Sequence, residues 1–316
     1  MIDNPKGVGF SYAAKNNLSK GDTQVAVDLY NALEAFYLRY PELKSNPLYL
    51  SGESYAGKYV AELAAQINHH HSQMNLQGLL VGDGWVNPLV QQSSVAQYAY
   101  SHGLIDKNTY QTVKKRYARC ADAIKQGKSN LKHANKLCME VNGTVAKASG
   151  VDRHDIRTLA EIDYQPIIEY LNKPEVRKAI HVDPRVGRFK LFSDEVSQHM
   201  ESEIQQSAAP IYEQLLNKKI PILIYTGLDD GTDSNFIGAD LWLEQLNWHG
   251  AKEFNKAPTC KWHNKSTQDI AGYVRQADEL TQIKVRGAGH MAPMDQPENV
   301  LDMINKWIHK QKWCQE

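Results

Sequence analysis

With 316 residues, 42% of them apolar and 23% charged, the chain can bury one large core, or a core plus an insertion, without the staples a small scaffold needs. Lys plus Arg and Asp plus Glu are equal at 36 each, so no long-range positive field exists to hold a polyphosphate, and nucleic acid is not an expected partner. No apolar run approaches the ~18 residues that a membrane-spanning helix requires.

Taken in chain order, helical periodicity runs over Thr23 to Tyr40, followed by an apolar strand-like run at Leu48 to Ser51 and a second amphipathic stretch at Lys58 to Asn68. A second strand is expected at Leu79 to Gly82. The pattern then changes to polar, helix-like sequence without a convincing strand, and residues 93–162 read as a helical cap inserted between a first core part, 1–92, and a second, 163–316. In that second part, helices are expected at Gln205 to Asn217, Phe236 to Leu246 and Val300 to Trp307, and strands at Ile220 to Thr226 and Ile283 to Arg286. Short apolar strands alternating with amphipathic helices predict an α/β layer fold around a mostly parallel sheet flanked by helices.

The four cysteines, Cys120, Cys138, Cys260 and Cys314, lack the paired close spacing of a zinc site and suggest two disulfides. Cys120 with Cys138 and Cys260 with Cys314 is one of the three connectivities open to them. Asn-x-Ser/Thr acceptor tripeptides begin at Asn17, Asn142 and Asn264, which also fits an oxidising, secretory context. Met1 to Pro5 show neither the basic nor the apolar region of a signal peptide. That leaves a cytosolic protein or one whose sequence begins further upstream.

A strand, a sharp turn and a helix meet at Gly52-Glu53-Ser54-Tyr55-Ala56-Gly57. A nucleophile elbow needs small residues two positions on either side of its serine, because the turn forces the flanking backbones together, and Gly52 and Ala56 supply them. Taken alone, the two glycines are equally well read as shaping an ordinary βα connection. Tyr55 N–H, at the start of the helix, would be one oxyanion donor. A serine hydroxyl also needs a base, and the base needs a carboxylate to hold its tautomer. Leu228-Asp229-Asp230-Gly231 follows an apolar strand, and Gly287-Ala288-Gly289-His290 follows another, in the chain order serine, acid, histidine. Each taken singly reads as a solvated loop; the ordered set points to nucleophilic catalysis. His290 is the only one of twelve histidines that follows an apolar strand in the third slot of that order.

Other motifs carry less. His69-His70-His71 closes a helix, where imidazolium meets the dipole, and consecutive positions cannot all face one metal. The acidic turn lacks the alternating spacing of a calcium loop. Gly7-Val8-Gly9 lacks the third glycine of a dinucleotide turn. Neither a metal nor a cofactor is expected.

Four blocks together resemble the serine carboxypeptidases, the α/β-hydrolase family of carboxypeptidase Y and cathepsin A. Asp3 with Gly7-Val8-Gly9-Phe10-Ser11-Tyr12 is similar to one family segment, Gly52 to Gly57 to the nucleophile block, Tyr225-Thr226-Gly227 with Asp230 to the aspartate block, and Gly289-His290-Met291 with Pro293 and Asp295-Gln296-Pro297-Glu298 to the histidine block. The resemblance implies an α/β-hydrolase fold with Ser54 as nucleophile, His290 as base, and Asp230 rather than Asp229 as its partner. It further implies that Glu53 binds the substrate's terminal carboxylate by sharing a proton with it, that Tyr55 and Met291 belong to substrate pockets, and that the pH optimum is acidic. Peptide C-termini are the implied substrates, in a secreted, lysosomal or vacuolar setting; oligomeric state is not readable.

Three departures stand out. Leu228 occupies a position where the family usually has a further acid, and Asp83, in Gly82-Asp83-Gly84, stands where the family commonly has Asn. The family also carries, ahead of the segment at Asp3, its first strands and a Gly-Gly-Pro-Gly type stretch with a second oxyanion donor; these N-terminal strands are expected to be missing here. Loss of one such donor typically costs about 10² to 10³ in rate. Competing readings are therefore an acyltransferase built on the same triad and a truncated, non-catalytic family member.

Overall fold

The computed structural model describes residues 1–14, 17–70, 72–160 and 162–314. Its six-stranded sheet consists of β1 (Leu48–Glu53), β2 (Leu76–Gly82), β3 (Ile222–Gly227), β4 (Cys260–His263), β5 (Ile270–Ala277) and β6 (Leu280–Val285), in the order β1-β2-β3-β6-β5-β4. β1, β2, β3 and β6 are parallel neighbours. The longer helices are α1 (Asp22–Arg39), α2 (Ala56–His69), α3 (Ser94–Ser101), α4 (Lys107–Lys125), α5 (Leu131–Ser149), α6 (Ala209–Asn217), α7 (Phe236–Glu244) and α8 (Pro297–Ile308).

Alternation along the central strands explains why helices cover both faces. Leu79, Val81, Ile222 and Ile224 point into one cluster with Val25 of α1, Leu63 of α2, Leu216 of α6 and Trp242 of α7. Leu80, Leu223, Tyr225 and Ile283 point into the other, with Val300 and Met303 of α8. A strand whose side chains alternate between two buried faces must be apolar at nearly every position, so β3 reads Ile-Leu-Ile-Tyr-Thr-Gly and is buried throughout.

The sheet is mostly parallel, as expected, and carries one further element. β4 and β5 form an antiparallel hairpin on β6 that periodicity did not reveal. Gly272, Arg275 and Gln276 interrupt the apolar run of β5, because this edge is buried irregularly along its length. Helix α6 is also shorter than expected, beginning at Ala209 rather than Gln205, where a turn carries the chain in from Glu203.

Between β2 and β3, α3, α4 and α5 pack on their own apolar cluster of Val113, Cys120, Ala134, Cys138 and Val141. Cys120 bonds to Cys138 across α4 and α5, with 4.9 Å between Cα atoms, and Cys260 bonds to Cys314, tying β4 to the segment after α8. Of the acceptor asparagines, Asn17 is exposed. The Asn142 amide donates to Asp233 and the buried Asn264 amide to Asn299, so neither nitrogen is free in the folded chain. Asp3 folds its own segment back: its carboxylate accepts from Phe10 N–H at 2.7 Å and its carbonyl from the Ser11 hydroxyl at 2.6 Å. Of the histidine run, α2 ends at His69, and His71 lies outside the described residues.

Candidate active site

Ser54 sits between the end of β1 and the start of α2 with φ of 59°, in the left-handed region that a non-glycine residue occupies only under constraint. Two backbone bonds supply that constraint: Ser54 N–H donates to Gly82 O at 2.9 Å, and Trp85 N–H donates to Ser54 O at 2.8 Å. A Cβ on Gly52 would stand 2.6 Å from the Cβ of Ala56, so the turn closes only with small residues at both places. At the start of α2, Gly57 N–H donates to Ser54 O at 2.9 Å and Lys58 N–H to Tyr55 O at 3.0 Å, which leaves the N–H of Tyr55, the N-cap, as the oxyanion donor this turn can offer.

The aspartate turn and the histidine loop are pressed together at Gly227, where any Cβ would strike the carbonyls of Ala288 and Gly289. Asp229 N–H donates to Ala288 O at 2.8 Å. This register delivers Asp230 to His290: Nδ1 and Oδ2 are 2.9 Å apart, with Asp230 fully buried and His290 7% exposed. Asp229 instead turns toward Arg157, at 3.7 Å. Burial pushes the Asp230 carboxyl up, but the His290 charge and hydrogen bond, with the bond from Thr232, outweigh it and hold it below the ordinary range. For His290, burial lowers the pKa while the charges of Asp230 and Glu53 raise it, and the net shift is upward.

Ser54 and His290 line one cavity of about 250 Å³, together with Trp85, Asn142, Gln205 and Ser234. Helix α5 forms part of its wall through Asn135, Cys138, Met139 and Asn142. Of the other residues singled out from the sequence, Tyr55 lines this cavity, whereas Glu53 and Met291 are not among its lining residues. Glu53 ends β1 beside the dyad, and burial, reinforced by the charges of Asp230 and Asp295 against that of His290, raises its carboxyl to about 7.

Two supports were not foreseen. The buried Lys58 reaches Asp22 at 3.6 Å and donates to the carbonyls of Glu203 and Ile204, while the Tyr55 hydroxyl donates to Asp22 at 3.1 Å. Burial raises Asp22 to about 6 and lowers Lys58 to about 8, each partly countered by the other's charge. The sequence signal was faint, since an acid opening α1 reads as an ordinary partner of the helix dipole. Residues 152–157 are the other support: Gly231 N–H donates to Arg153 O, Ile156 N–H to Asp229 O, His290 N–H to His154 O, and Arg157 donates to Gly287 O while pairing with Asp295 at 3.1 Å. Their dense charge was the available clue.

The family model described as serine carboxypeptidase matches residues 1–310. The chain belongs to the serine carboxypeptidase family. It is 32% identical over 326 residues to the probable serine carboxypeptidase CPVL of Dictyostelium discoideum, covering 98% of this chain and 63% of that one. It is 31% identical to serine carboxypeptidase-like 48 of Arabidopsis thaliana, covering 97% and 62%, and 32% identical to the probable serine carboxypeptidase CPVL of Homo sapiens, covering 99% and 67%. The chain thus spans a little under two thirds of the length of the first two of these relatives. The fold superposes on a prohormone-processing carboxypeptidase from Saccharomyces cerevisiae with a TM-score of 0.84, covering 98% of this chain and 73% of that one at 22% identity. That likeness establishes the α/β-hydrolase architecture. No helix among the described residues is long and apolar enough to cross a membrane.

Proposed function

We propose that this chain carries the catalytic groups of a serine-type carboxypeptidase that releases C-terminal residues from peptides through an acyl-enzyme. The observation that carries the reading is the buried 2.9 Å contact between His290 and Asp230 opening into the cavity that Ser54 shares. Ser54 Oγ attacks the scissile carbonyl as His290 Nε2 takes its proton, Asp230 holds Nδ1–H, and Tyr55 N–H meets the developing oxyanion. His290 then protonates the departing amine; water, deprotonated by the same imidazole, hydrolyses the ester and frees Ser54.

Glu53 would meet the substrate's terminal carboxylate as a neutral acid, which its value of about 7 permits in the acid range. Because the Glu53 charge helps to raise His290, protonating Glu53 lowers His290. The working range therefore extends below neutrality when substrate holds Glu53 protonated. Residues 93–162 act as a cap over the cavity, a role supported by the α5 side chains that line it. Two disulfides support an oxidising compartment, secreted, lysosomal or vacuolar.

A fluorophosphonate probe should label the protein, and Ser54→Ala should abolish the labelling. Absence of labelling in the unmodified protein would refute the reading.

A further inference from the structure

Asp83 directly follows β2 and is 0% exposed, with a φ of 42°. Its N–H donates to Tyr225 O at 2.8 Å, and its Oδ1 accepts from Gly227 N–H at 2.9 Å, so both backbone and side chain are clamped to the strand that delivers Asp230. Its Oδ2 is buried and has no N–H or O–H partner among the described residues. One polar atom from each of Asp83, Asp230 and His290 lies within 4.8 Å of the other two. Two dry carboxyl groups this close cannot both ionise cheaply, and one of them takes a proton.

The partners decide which. Asp230 accepts from His290 and from Thr232 N–H at 2.8 Å, both of which stabilise its charge. Asp83 accepts from Gly227 alone among those donors, and the charged groups facing it are Asp230 after β3 and Glu53 at the end of β1, both acids, with the His290 loop beyond. Burial raises its carboxyl well above the ordinary range, and the Asp230 charge adds to the rise.

We propose that Asp83 is a positioning residue, a neutral carboxylic acid that hydrogen-bonds the Asp230 carboxylate, so that the pair bears one negative charge next to His290. A second charge there would favour imidazolium at His290, which cannot accept the Ser54 proton. The bond also removes a rotational freedom from Asp230, keeping Oδ2 directed at Nδ1. The kinetic part of the proposal rests on the triad reading above; the proton on Asp83 belongs to the fold and does not.

Three proteins test it, by infrared difference spectroscopy and by fluorophosphonate labelling across pH: the unmodified chain, Asp83→Asn and Asp83→Leu. The spectrum of the unmodified chain minus that of Asp83→Asn should contain a protonated-carboxyl C=O band at neutral pH. Asn, a permanent donor of the same shape, should keep the labelling rate within about 3-fold and hold it to higher pH, whereas Leu should slow it roughly 10- to 100-fold, as expected when a bond to a buried charge is lost. No such band, labelling by Asp83→Asn as slow as by Asp83→Leu, or labelling by Asp83→Leu at the unmodified rate would each overturn the proposal. Should Asp83→Leu fail to fold, the band and the Asn profile still decide it. If the unmodified chain shows the band but does not label, the hydrolase reading fails and the Asp83 proton stands.

Discussion

The two halves of the sheet were put to different uses. β1, β2, β3 and β6 run parallel, and their C-terminal ends carry Ser54, Asp83, Asp230 and His290 into one small volume. β5 and β4 run antiparallel on the far side of β6, supply none of these groups, and are tied down by the Cys260–Cys314 bond. Parallel strands all end on the same edge, so loops that follow them meet; a hairpin sends alternate ends to opposite edges. Chemistry should therefore be sensitive to changes in the first half, and only stability to changes in the second.

The sharpest way to break that contrast is at Asp230. Asp230→Asn should lower the fluorophosphonate labelling rate by about 10⁴, the cost of a lost tautomer, whereas Asp229→Asn should change it by no more than roughly 3-fold. Equal losses at the two would mean that the register at Gly227 is not what selects the acid.

Glu53→Gln is the next largest. The raised Glu53 carboxyl binds its proton more tightly in the folded chain, so its contribution to stability is complete below 4.5 and is lost as pH rises through about 7. Denaturant melts should show the Gln variant equal to the unmodified protein at pH 4 and more stable by roughly 1–3 kcal/mol at pH 8, where burial of the charge is relieved. In the same variant, KM for a peptide with a free C-terminus should lose its rise above pH 7. A KM profile that keeps this rise would remove Glu53 from substrate binding.

The smallest effect on chemistry is expected at the antiparallel edge. Replacing Cys260 and Cys314 together by Ser should lower stability by about 2–4 kcal/mol while leaving labelling at 25 °C within roughly 2-fold. A large loss of labelling in a folded double variant would show that the edge hairpin does support the site.

Legibility followed burial. β3 is buried on both faces and announced itself as an unbroken apolar run, whereas β5, with Gly272, Arg275 and Gln276 in it, offered no clean period of two. The elbow was readable because Gly52 and Ala56 answer a local steric demand. Asp230 could be favoured over Asp229 only by resemblance, since adjacent aspartates in one turn look alike until a partner is placed.

What the sequence determined by itself were the strand, turn and helix around Ser54, the order of serine, acid and histidine, and the family, since these depend on neighbours along the chain. What only the tertiary structure decided is which acid reaches His290, that Asp83 lies against that acid, and that residues 152–157 bind the two loops together. Those outcomes depend on the close packing of backbone at Gly227 against Ala288 and Gly289, a contact between positions some sixty residues apart that no local pattern records.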